Sequence, residues 1–150
     1  IMTDHAYADT IGQTLQPSDW FLIEQSRINQ FADVTLDHQY IHIDPERAAQ
    51  TDLGGTIAHG FLMLSLLPKL VEKSMLTPEG MVMGINYGFD KVRFLNPVRP
   101  GDRVRVTGAV LDMQDKGDGR YLQKLGVSLE IEGVDKPAVV CEWLNLFVVG

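Results

Sequence analysis

The chain has 150 residues, 45% of them apolar and 22% charged, and carries a net charge of −7. That size and composition suit one globular domain, taken as residues 1–150, with a core of its own. The acidic balance argues against nucleic acid, which needs a basic surface, and against adsorption to an anionic membrane.

The first residues are polar and acidic, with none of the basic and apolar pattern of a signal peptide, and His5 among them has no assigned role. A short strand is expected near residues 20–23. From residue 25 to 32 a helix is expected, because Ile28 and Phe31 are three apart and share one face. Residues 31–45 follow, reading Phe-Ala-Asp-Val-Thr-Leu-Asp-His-Gln-Tyr-Ile-His-Ile-Asp-Pro, and place Asp37 and His42 five residues apart. Asp44-Pro45-Glu46 then has the form of an N-cap, a first-turn proline and an acidic first turn, opening a short helix that ends at Ala49.

The next segment, Thr56-Ile57-Ala58-His59-Gly60, opens the longest apolar run. Phe61, Leu62, Leu64, Leu66, Leu67, Leu70 and Val71 cover nearly every side of a helix over 58–73, which predicts a buried helix. Pro68 removes one of its hydrogen bonds, and the Ser65 hydroxyl is expected to bond the preceding turn. The run is shorter than the ~20 residues that cross a bilayer.

Four β-rich segments make up the second half, over residues 81–94, 102–113, 121–131 and 138–148. Val104 and Val106 alternate with Arg103 and Arg105, so one face is polar. The short turns between the segments favour antiparallel neighbours. The expected architecture is α+β, an antiparallel sheet curled around a central apolar helix. Cys141, the one cysteine, lies in an apolar strand and reads as buried packing; a single thiol also suits a reducing, cytoplasmic setting.

Asp37-His-Gln-Tyr-Ile-His42, with Asp44-Pro45 and the later Ala58-His59-Gly60 and Pro100-Gly101-Asp102, resembles the MaoC-like (R)-specific enoyl-CoA hydratases. The fuller wording of residues 31–49 and 56–68 is most similar to the NodN-like branch. Relatives more often have Gly before the acid and Asn-Pro within the loop, where this chain has Leu36 and Gln39-Tyr40. The resemblance implies a hot dog fold, a homodimer or dimer of dimers, and hydration of trans-2-enoyl-CoA to (R)-3-hydroxyacyl-CoA or its reversal. It assigns catalysis to Asp37 and His42, and the oxyanion donor and substrate contacts to Gly60, His59 and Gln39. No cofactor is implied; coenzyme A arrives with the substrate.

The chemistry of these residue types agrees. An acid and an imidazole can hold one water and move its protons, in an order the sequence leaves open. The first N–H groups of a helix lack acceptors and favour negative charge, so Gly60 is placed to receive a thioester oxyanion. Taken singly, Asp37 reads as a turn cap and His42 as a loop histidine; His59 reads as a structural hydrogen-bonding group, and His38 as solvated. The spacing of Asp37, His38, His42 and His59 fits no usual zinc pattern, so no metal is expected. Lys91, Arg93, Arg99, Arg103 and Arg105 are candidates for phosphate contacts, with a solvated strand face as the default. Two other readings stay open: a hot dog thioesterase, and an acyl-thioester binding protein without activity.

Overall fold

In chain order, a computed structural model describing residues 7–150 contains a 3₁₀ turn (Ala8–Thr10), β1 (Phe21–Leu22), α1 (Gln25–Thr35), α2 (Tyr40–Ile43), α3 (Pro45–Ala49), α4 (Gly60–Val71), β2 (Met81–Phe94), β3 (Arg103–Gly117), β4 (Arg120–Ile131) and β5 (Val139–Val149). His5 and the polar start lie outside the described residues. All the strands pair antiparallel in one sheet, in the order β1-β3-β4-β5-β2.

Period-two patterning decides which face is buried. Val104, Val106 and Val110 of β3, Leu125, Val127 and Leu129 of β4, and Val139, Cys141 and Trp143 of β5 all point into the core. Opposite them stand Leu62, Met63, Leu67, Leu70 and Val71 of α4. This is the hot dog arrangement expected from the sequence, with the sheet wrapped around one helix.

Curvature has a local cause. Gly108 stands opposite Val127 across β3 and β4, beside Gly126, and a Cβ on Gly108 would stand 2.3 Å from the Gly126 carbonyl oxygen. Only glycine permits that approach, and a bulge between Val110 and Asp112 adds to the bend. The β3–β4 turn is tighter than the loop expected over 115–119. Asp118 and Gly119, at φ 56° and 72°, make a two-residue turn of the left-handed kind that matches strand twist, so β3 runs on to Gly117.

Burial of α4 differs from the sequence expectation. Its inner face is buried, but Phe61 is 69% exposed, and Ser65 and Pro68 continue the same open stripe. The helix continues through Pro68 to Val71, and Ser65 Oγ donates to the Phe61 carbonyl at 2.7 Å as expected. β2, at the edge of the sheet, is open along almost its whole length. Among the described residues, no helix is long and apolar enough to cross a membrane.

Candidate active site

Three short elements and the start of α4 converge because their backbones are tied together. α1 ends at Leu36, a non-glycine residue held at φ 62° that turns the chain sharply into Asp37. What read as a loop around His42 is the helical turn α2, opened by the Gln39 carbonyl accepting His42 N–H at 3.0 Å. Asp44 caps α3 as expected, its Oδ1 accepting Arg47 N–H at 3.1 Å. Ile57 N–H donates to the Ile41 carbonyl at 2.9 Å, and Ala58 N–H to the Val98 carbonyl at 2.7 Å. Those two bonds dock the segment before α4 against both α2 and the turn ahead of β3.

Gln25 adds a knot that sequence reasoning missed. Its Nε2 donates to the His42 carbonyl at 2.6 Å, while its Oε1 accepts from the buried Thr56 hydroxyl at 2.6 Å. One side chain at the start of α1 therefore fixes both halves of the site. Only its polar character at a helix start was visible beforehand, and that signal is too common to single it out.

Hydrogen bonds set the tautomers of the two site histidines. His42, 7% exposed, sits with Nδ1 2.8 Å from the Ile57 carbonyl oxygen. A carbonyl only accepts, so Nδ1 carries the proton and Nε2 is left bare. His59, 3% exposed, in the same way donates Nε2–H to the Asp37 carbonyl at 3.1 Å, and its buried Nδ1 has no partner. Burial holds the His59 pKa below its ordinary value; the bond to the Asp37 carbonyl opposes that shift, and His42 adds to it. The two rings stack with centroids 3.8 Å apart and planes 22° from parallel.

A carboxylate oxygen of Asp37 and ring nitrogens of His42 and His59 lie within 4.8 Å of one another. Asp37 is half exposed, with Oδ1 accepting Gln39 N–H at 3.4 Å and Oδ2 4.0 Å from His59 Nε2. A metal bound by both histidines would have to lie close to both ring planes, about 2.0–2.1 Å from each nitrogen. Nearly parallel stacked rings do not share a plane, and the hydrogen bonds to backbone carbonyls leave one bare nitrogen on each ring.

Gly60 begins α4, and its N–H and that of Phe61 donate to no protein acceptor among the described residues. The space above it differs from expectation. The Phe94 ring lies where a Gly60 Cβ would be, 2.7 Å from that position. Phe94 is 52% exposed, so its ring covers this position from the surface side. Beside it opens a largely apolar cavity of about 440 Å³ that Gly60 helps to line.

Asp37, His42, His59 and Gly60 thus come together. Gln39 contributes through its backbone, its side chain remaining exposed. His38 lies aside, paired at 2.9 Å with Asp33 on the surface. Of the basic candidates, Arg103 and Arg105 are ion-paired to Glu132 and Glu130 on the neighbouring strand, at 3.3 and 2.8 Å, on the partly exposed strand face that was their default reading.

The chain as a whole is similar to known proteins. The chain is 46% identical over 141 residues to 3-hydroxyacyl-thioester dehydratase Z of Mycobacterium tuberculosis, covering 94% of this chain and 93% of that one. It is 44% identical over 137 residues to nodulation protein N of Rhizobium leguminosarum bv. viciae, covering 91% and 85%. Among solved structures, the (R)-hydratase from A. caviae involved in PHA biosynthesis superposes with a TM-score of 0.72 at 25% identity, covering 89% of this chain and 95% of that one. The family model of the MaoC like domain matches residues 6–130, and the chain belongs to the MaoC-like dehydratase family.

Proposed function

We propose that the chain adds water to a trans-2-enoyl-CoA thioester to give the (R)-3-hydroxyacyl-CoA, or removes water in the reverse direction. One observation carries this reading: the Asp37, His42 and His59 ligand atoms lie within 4.8 Å of one another, beside a helix start with free N–H groups. Acceptors each about 2.8 Å from a water oxygen are bridged across separations up to about 5.6 Å, so one water can serve Asp37 and His42 together. The (R) sense and the thioester class rest on the similarity to the hydratase and dehydratase above.

Proton positions follow from the tautomers. The bare Nε2 of His42 takes a proton from the water as its oxygen bonds to the β-carbon, while Asp37 holds the water by its other hydrogen. The π electrons move toward the α-carbon and the thioester oxygen, where Gly60 N–H meets the developing charge. An oxyanion donor of this kind is worth about 3–4 kcal/mol of barrier. His42 then returns the proton to the α-carbon, which restores both the thioester carbonyl and the neutral imidazole. His59 holds the Asp37 backbone and takes no proton.

The second copy in this proposal is a homodimer partner. Edge strand β2 leaves one side of its backbone unpaired and exposes Met81, Val82, Met83, Ile85, Tyr87 and Phe89. A long, apolar, unprotected edge is a template for pairing, and an antiparallel copy of itself satisfies it. The open stripe of α4 adjoins the same side, since Leu64, Ser65 and Pro68 share a groove with Asn86, Tyr87 and Phe89.

Incubation with crotonyl-CoA separates the readings. Loss of the conjugated enoyl absorbance without free thiol, yielding (R)-3-hydroxybutyryl-CoA, is the predicted result. Thiol release would make the protein a thioesterase, and saturable binding without turnover would make it a binding protein.

A further inference from the structure

We propose that the cavity beside Gly60 takes the pantetheine arm of coenzyme A and that Arg99, on its rim, reads the phosphates. This inference rests on the acyl-thioester reading above. The cavity is walled by Leu53, Ile57, Phe94, Asn96 and Val98 together with Gly60, and it leads toward the free N–H groups of the helix start. Arg99 follows Val98 directly. Its Nη1 stands 3.7 Å from where a Gly55 Cβ would be, so the guanidinium lies over the Gly54-Gly55 turn next to Leu53.

The Arg99 backbone is rigidly held, its N–H donating to Asp102 Oδ2 at 2.8 Å and its carbonyl accepting Asp102 N–H at 3.0 Å. Its guanidinium, in contrast, has no carboxylate within ion-pair distance among the described residues. Lys69, Arg103, Arg105 and Lys124 each have one. Lys136 also has no ion-pair partner among the described residues, and its carbonyl accepts Nδ2 of Asn96, one of the cavity's wall residues, at 3.3 Å. Several other cations of the chain, Lys91 and Arg93 among them, also have no ion-pair partner among the described residues; what distinguishes Arg99 is its place at the cavity mouth.

An apolar channel that starts at a guanidinium and ends at a backbone amide matches a phosphorylated pantetheine thioester. The planar fork of Arg suits a phosphate, and the uncharged arm suits the apolar walls. Asp52 and Asp135 are next to Leu53 and Lys136 in the chain, so the attraction is a short-range contact and not a broad basic field. Coenzyme A is favoured over an acyl carrier protein, because that acidic partner would meet an acidic surface.

The test compares crotonyl-CoA with crotonyl-pantetheine, which lacks the phosphates and the nucleotide, for wild type, Arg99→Gln and Arg99→Glu. We expect kcat/KM for the CoA ester to fall by about tenfold or more, through KM. The ratio of kcat/KM for the CoA ester to that for the pantetheine ester should collapse toward one. Reading a ratio within each preparation cancels any loss of folded protein. An equal fall for both substrates, or no fall for either, overturns the assignment, as does wild type preferring the acyl carrier protein ester. Wild type silent on every thioester would remove the hydratase reading itself, a different outcome from an active enzyme indifferent to Arg99.

Discussion

Leu36 carries a backbone cost that its place in the site explains. Left-handed φ costs a side-chain-bearing residue about 1–2 kcal/mol, and glycine in the same place pays instead about 0.5–1 kcal/mol in unfolded-chain entropy. Leu36→Gly is therefore expected to hold or raise the melting temperature, where Leu→Gly at an ordinary helix end would lower it. A clear fall on thermal melting would show that the left-handed turn is not strained. His59 predicts a pH effect. Its folded pKa is lowered, so the unfolded chain binds the proton more readily. The His59 contribution to stability is intact above about pH 6.5 and declines as pH falls below it. Denaturant titrations across that range should show this loss in wild type, and a smaller one in His59→Asn. At Gly60, an alanine would collide with Phe94, whose half-exposed ring can swing away. Gly60→Ala should therefore stay folded, as far-ultraviolet circular dichroism will show, and lose turnover.

Elements differ in how plainly they were written in the sequence. Asp44-Pro45 announced α3 because capping chemistry is local, and the strands announced themselves because each buries one face. The helical turn α2 was not legible, since it is held by the Ile41–Ile57 and Gln25–His42 bonds, partners 16 and 17 residues apart in the chain. Composition made α4 look buried all round; its outer stripe, Phe61, Ser65 and Pro68, is open, with Ser65 and Pro68 lining a groove shared with β2. The inner face should still dominate its stability. Leu67, 1% exposed, is expected to cost about 2–5 kcal/mol when cut to alanine, and a chemical melt measures that directly.

For the whole molecule, the exposed edge and the helix stripe together predict self-association. Light scattering should give at least twice the mass of one chain, and Ile85→Lys, which is nearly neutral in a lone chain because Ile85 is 45% exposed, should shift the mass toward the monomer. A wild-type monomer would defeat this. Asp37, His42 and Gly60 were legible as candidate site residues because they stand in motifs. What lay hidden was its support: Gln25, Thr56 and the Phe94 cover are brought to it by tertiary structure alone.

Hydration by this site depends most directly on Asp37 and His42 sharing one water. Steady-state hydration of crotonyl-CoA by Asp37→Asn and His42→Ala, against wild type, measures this. The predicted result is a fall in kcat of about 10²–10⁴ for each, with KM little changed and the fold retained. Turnover within about threefold of wild type in both variants would contradict it.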